Sequence, residues 1–343
     1  MRCTVRTTRG GALPAALVLV AVAGAVSGAV ATLARTELVL ARNREAAAHA
    51  LAAADGCLAI VAVDLPAGWG FEAPIAGPDG VAGTADDGMR PAPAGCAARL
   101  APAPGAPSPP RAVLAVEAAA AGGRRSVEAV VARSAVPGVP ALIWLADATS
   151  LEAPAGVLEL DGGDAARPAA PVLAPLAAPG DPAVLDAWLV AQAGRVTLSA
   201  SGAPPLGAPA PPLAELAMRL RAAGAMPGGM LVPAGVPPLA LSLVSGDLVT
   251  GPSARGWGLL FVDGRLDIGG SFEFSGVVVA TGGIRVASGA RLDVAGAIWL
   301  GGGATLVVDG EARVAAHADG LEAADGLLRL PRRATLASLR DIP

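Results

Sequence analysis

The stretch AGPDGVAGTADDG, residues 76–88, sets Asp79, Asp86 and Asp87 among four glycines. Carboxylate oxygens brought together by tight turns suit a hard cation, so a possible calcium (Ca2+) site is the one cofactor the sequence suggests. The spacing does not match the EF-hand, because no ligand stands at the twelfth position. Loops rich in Asp and Gly also form turns without metal, and both readings stand. Four further acids, Asp263, Asp267, Glu273 and Asp293, lie in the C-terminal part. Two of them at the right separation could act on a glycosidic bond. No aromatic sugar platform is evident beside them, and acids on alternate outward positions of strands are ordinarily solvated surface. His49 and His317 are far apart in sequence, and no HExxH, CxxC, GxSxG or phosphate-loop motif occurs. Gly301-Gly302-Gly303 reads as a turn. The expectation is therefore a non-enzymatic protein with no catalytic residues.

Cysteine usage speaks about compartment. Cys3 sits in the first few residues, which leaves Cys57 and Cys96 for the rest of the chain. An even number in an exported segment predicts a bridge, against the alternative of two buried thiols. Closing about 40 residues would stabilise by about 3–4 kcal/mol in the loop-entropy account.

Composition bounds the elements that hold these groups. The 343 residues suffice for two modest domains. Only 16% are charged and 3% aromatic, every cation in the chain is an arginine, and the formal charge is −4. That gives no basic footprint for nucleic acid. With 45 glycines and 31 prolines, long helices are disfavoured outside the N-terminus.

The N-terminus is different. Ala12 to Ala34 carries no charge, and as a helix it would run roughly 34 Å, enough for a bilayer core. Arg2, Arg6 and Arg9 precede it, which predicts a cytoplasmic start and an exported remainder. A cleavable signal ending near Ala21-Val22-Ala23 and a plain anchor both fit parts of this pattern. A third reading uses the continuation: Arg35 to Asp55 has no Gly or Pro and favours helix, giving one rod of about 45 residues that ends at Gly56.

That rod, with RGGALPAALVLV at its start, resembles the type IV pilins and type II secretion pseudopilins. The resemblance covers residues 9–60. It implies cleavage by a prepilin peptidase after Gly10, or after Gly11, with Pro14 near the fourth position of the mature helix. Ala15 then falls where most of the family keep glutamate, a departure shared by some tip pseudopilins and PilX-type minor pilins. The resemblance therefore implies a minor subunit that partners other pilin or pseudopilin subunits. It would be held in the bacterial inner membrane with its bulk in the periplasm, or displayed on the pilus at the cell surface. Leader residues 1–10, helix 11–56 and a β-rich head over 57–200 follow from it. AVLAVEAAAAGGRRSVEAVVARS supplies the head's hairpin, turning at Gly122-Gly123.

A linker with a short helix, near Leu213 to Met226 and packed through Leu216 and Leu220, is expected over 201–239. From 240 to 331 the text repeats every 18 to 20 residues: LLFVDGRLDIGGSFEFSG, VVVATGGIRVASGARLDVAG, AIWLGGGATLVVDGEARVAA. Such a period predicts a parallel β-solenoid. Val277, Val279, Ile284, Val286, Leu292 and Val294 should face inward, with glycines at the corners and Leu327, Leu328 and Leu330 capping the last rung. This module resembles short β-helices of PilX-type proteins and, more loosely, bactofilins. The overall expectation is α+β: a transmembrane and amphipathic helix, a small pilin-like sheet and a β-solenoid. The resemblance implies a tip, assembly or adhesion role. The rivals are an anchored envelope protein with a self-associating β-helix, and a polysaccharide-active enzyme.

Overall fold

The computed structural model describes residues 12–342 apart from 78, 80, 106–107, 149–150, 153–154, 169, 171, 200–202 and 228–238. It is an α+β molecule: a long N-terminal helix, an antiparallel sheet, and a parallel β-solenoid of about four turns. Helix α1 (Ala12–Val63) is one piece of 52 residues. It does not stop at Gly56, which faces open space. Beyond that glycine Cys57, Leu58, Val61 and Ala62 are buried against the sheet, and docking of that stripe carries the helix on for two more turns.

A single turn, α2 (Glu72–Ile75), leads into the head sheet: β1 (Met89–Arg90), β2 (Cys96–Pro102), β3 (Arg111–Ala120) and β4 (Gly123–Arg133). β3 alternates buried and half-exposed residues along most of its length, as expected of a sheet with one face on a helix. The β3–β4 hairpin turns through Ala121 and Gly122, both at positive φ, the geometry that two-residue hairpins favour.

The chain then enters the solenoid from an unexpected side. β5 (Ala141–Leu145), β6 (Leu151–Glu152), β7 (Val157–Asp161), β8 (Ala174–Ala178), α3 (Pro182–Ala191), β9 (Val196–Leu198), β10 (Leu206–Gly207) and α4 (Leu213–Ala222) come first. The regular coils follow: β11 (Met226–Pro227), β12 (Leu239–Ser245), β13 (Leu248–Thr250), β14 (Ser253–Asp263), β15 (Leu266–Ile268), β16 (Ser271–Ala280), β17 (Gly283–Val286), β18 (Arg291–Leu300), β19 (Thr305–Val308) and β20 (Glu311–Ala315). Helix α5 (Ala318–Leu327) and β21 (Ala334–Ile342) complete the chain.

Parallel pairing runs β12–β14–β16–β18–β5–β8–β10 on one sheet and β13–β15–β17–β19–β6 on another. The coils at 239–315 are therefore extended by strands from 141–207, which stack beyond them. Strands placed in the head by the division at residue 200 pair instead with the solenoid. The opposite exchange occurs at the C-terminus, where β21 pairs antiparallel with β4 and adds the fifth strand of the head sheet. The solenoid is thus inserted between two neighbouring strands of the head.

Register offsets between coils are 18 residues from β14 to β16 and 20 from β16 to β18. Ile284, Val286, Leu292 and Val294 fill the interior as expected. Val277 and Val279 are equally buried but point the other way. With Leu259, Phe261, Ala297 and Trp299 they form an outer layer joined by Leu216 and Leu220 of α4 and by Ala324 of α5. Burial on both faces explains the uninterrupted apolar runs LLFV, VVVA and AIWL. Helix α5 accordingly lies across the flank of β12, β14, β16 and β18, not over the last rung. The β8 end is covered by α3, whose Leu185 and Leu189 enter the interior cluster.

Candidate functional site

The first half of α1 is bare of packing within the fold. Leu13, Leu17, Leu19 and Val20 are 64–76% exposed, and large apolar side chains stay exposed as far as Leu40. Pro14 lies in the first turn, where a missing N–H costs nothing, and Ala15 follows it. No acid occupies that turn. Gly24 and Gly28 face open space. Gly10 and Gly11 lie outside the described residues. The helix is long and apolar enough to cross a membrane.

The second half of α1 is fixed. Ala50, Ala54, Cys57, Leu58 and Val61 form one buried stripe against Leu100, Leu114, Val116, Val127, Ala129 and Val131 of β2, β3 and β4. Cys57 is bonded to Cys96 at the start of β2, with Cα atoms 6.6 Å apart. The bridge ties the helix to its sheet in the middle of that buried stripe.

The Asp79–Asp87 loop spends its carboxylates internally. Asp79 Oδ1 accepts from Val81 N–H at 2.9 Å, and Asp87 Oδ2 accepts from Gly83 N–H at 2.8 Å. The Thr84 hydroxyl donates to Asp86 Oδ1 at 2.6 Å, and this bond holds the Asp86 carboxyl below its ordinary value. Asp79 and Asp86 meet through a backbone contact of 3.3 Å. Among the described residues no three His, Cys, Asp or Glu side chains converge as a metal set.

The solenoid acids are dispersed over different faces. Asp263 pairs with Arg221 of α4 at 3.5 Å, and Asp267 with Arg265 at 2.8 Å. Glu273 pairs with Arg255 at 2.9 Å, and Asp293 with Arg291 at 3.4 Å. Only Glu273 and Asp293 are neighbours, in register on adjacent strands. His49 stands on exposed α1, 4.0 Å from Glu45. His317 caps α5, its Nδ1 accepting from Gly320 N–H.

A junction that sequence reasoning missed joins head to solenoid. Arg133, at the end of β4, is 2% exposed. Its guanidinium donates to the carbonyls of Pro66, Gly70 and Arg332 and lies over the Phe71 ring at 4.2 Å. Burial lowers its pKa to about 10, still well above neutrality. Gly68 and Arg332 exchange two backbone hydrogen bonds, and Arg332 pairs with Asp325 at 2.7 Å. Trp69 donates to the Arg329 carbonyl and carries Arg219 over its ring. In a chain whose cations are all arginine, no local signal distinguished Arg133 from the rest.

No described protein family matches the chain, and no curated protein matches it. Among solved structures, the competence-associated pilin ComZ from Thermus thermophilus is similar at 11% identity over 75% of this chain and 84% of that one, with a TM-score of 0.23. So loose a superposition carries no argument about role.

Proposed function

We propose that the protein is a minor, pilin-like structural subunit of a type IV pilus or type II secretion filament. It is anchored in the bacterial inner membrane through residues 12–34 and carries its solenoid outward in a tip, assembly or adhesive role. One observation carries this reading: a single helix is bare and apolar over its first half, and its second half is locked by Cys57–Cys96 onto an antiparallel sheet. A secretory signal would be discarded and needs no such continuity. Here the rod is integral to the folded head, so lipid and then neighbouring subunits can replace one another around the same surface. The absence of an acid from the first turn suits a position without a subunit stacked above. The role needs no chemistry by the protein; the prepilin peptidase acts on it at Gly10 or Gly11.

Co-expression with a prepilin peptidase, followed by mass spectrometry of the N-terminus, tests this. The expected product begins at Gly11 or Ala12 and appears only with active peptidase. Retention of Met1 would leave an anchored envelope protein, and cleavage near Ala23 would make the chain a free periplasmic one. Either result removes the pilin assignment.

A further inference from the structure

The aromatic side chains of this chain are few and almost all hidden. Of its five tryptophans and four phenylalanines, Trp69, Trp144, Trp299, Phe71, Phe261, Phe272 and Phe274 are at most 7% exposed, and Trp188 packs against the solenoid core. Trp257 alone stands 47% exposed. A half-exposed indole on the solenoid offers a flat apolar face with a polar tip.

Its surroundings define what it can hold. Trp257 lies in register with Ser275 on β16, which is in register with Ala295 on β18. These small side chains leave a recess of about 250 Å³ beside the indole, walled by Arg255, Glu273 and Asp293. Two residues along the strands, Arg255, Glu273, Asp293, Arg313 and Glu159 form a second row across β14, β16, β18, β20 and β7. Each acid in that row has an arginine: Arg255–Glu273 at 2.9 Å, Arg291–Asp293 at 3.4 Å and Arg313–Glu159 at 3.6 Å. Arg255, Arg291 and Arg313 stand against Glu159, Glu273, Asp293 and Glu311, so the face is acidic by at least one charge and disfavours an anion, while the acids beside the indole are already paired with arginine and leave no bare charge for a cation. It offers one flat apolar surface beside a line of paired donors and acceptors, exposed enough that their ion pairs are cheaply exchanged.

A saccharide has the matching chemistry. Its ring presents an apolar C–H face, and its hydroxyls both donate and accept, which suits guanidinium forks and carboxylates together. The row crosses one strand every ~4.8 Å, so it addresses an extended chain rather than a single ring. We propose that this face, centred on Trp257 with Arg255, Glu273 and Asp293, binds an uncharged polysaccharide. It holds the chain without cleaving it. The aromatic platform that the sequence did not reveal is Trp257, between two glycines in RGWGLL.

Full chain, purified in a detergent lacking sugar and choline headgroups, is titrated with chitohexaose and cellohexaose by calorimetry and tryptophan fluorescence. Polygalacturonate and choline serve as an anionic and a cationic comparison. At least one neutral oligosaccharide should bind with micromolar to millimolar affinity. Trp257→Ala should weaken it about tenfold or more, Trp257→Phe less, and Glu273→Gln severalfold. Thermal melts of the variants should match the parent, because these side chains are half exposed. No response to either oligosaccharide, undiminished binding by Trp257→Ala, or binding of choline or polygalacturonate alone would overturn the proposal. None of these outcomes depends on N-terminal processing, so this site and the filament role fail separately.

Discussion

Gly258, Gly276 and Gly296 occupy one column of the solenoid, each hydrogen-bond register placing one over the next. Their φ angles are +108°, +131° and +149°, a region in which side chains are strained. At this corner β14, β16 and β18 bend from the charged outer face to the doubly buried one. A Cβ on Gly276 would strike the carbonyl oxygen of Gly258, and one on Gly296 the carbonyl of Gly276. Backbone cannot yield as a flexible side chain can, so Gly276→Ala should cost about 3 kcal/mol or more. Gly302→Ala is the matched control, since nothing lies within 4 Å of its Cβ position. Thermal melts should separate the two by many degrees. Equal melting temperatures would mean that the column is not sterically closed.

At the scale of elements, β21 shows what a linear reading can and cannot reach. The regular coils were legible because LLFV, VVVA and AIWL recur at a fixed spacing with glycine between them. The strands that extend the stack, ALIWL and APLAA, are buried along their whole length, so they show no alternation, and unequal loops destroy their period. The long helix, the β3–β4 hairpin and the Cys57–Cys96 bridge were legible from local pattern. Of the candidate site, the sequence showed the bare half of α1 but neither Arg133 nor Trp257, whose roles depend on segments far away in the chain. The partner of β4 was equally hidden: ATLASLRDI lies some 200 residues downstream yet pairs with β4 from Arg133↔Ala334 to Ser126↔Ile342. Removing residues 334–343 should strip β4 of that ladder and leave the solenoid intact. Hydrogen exchange then reports faster exchange at Glu128, Val130 and Ala132, whose N–H groups face β21, with protection at Val278 and Val294 unchanged. Retained protection in β4 would show that β21 is dispensable to the head.

For the whole molecule, the insertion raises the question of whether head and solenoid unfold together. The outgoing and returning segments run side by side: Ser134 N–H donates to Arg333 O at 3.0 Å, and Gly138 N–H to Pro331 O at 2.8 Å. Beside them the loop after α1 joins through Gly68 and Arg332. Arg133 satisfies carbonyls from both of these neighbouring segments at once. Load applied to α1 would reach the solenoid through this junction. Arg133→Ala takes the donor from the part-buried Pro66 and Gly70 carbonyls, leaves Arg332 O only its bond from Gly68 N–H, and removes the cation from Phe71, a loss of about 2–3 kcal/mol. That cost falls on the joint, since the solenoid's own pairing and the Cys57–Cys96 head are untouched. Calorimetry of the detergent-solubilised parent should therefore show one transition for the extramembrane part, and Arg133→Ala should show two, the head melting first. A single transition displaced to lower temperature would mean that the backbone pairing at 134–138 and 331–333 couples the units without the arginine. Two transitions already present in the parent would make the solenoid an independent passenger on the rod.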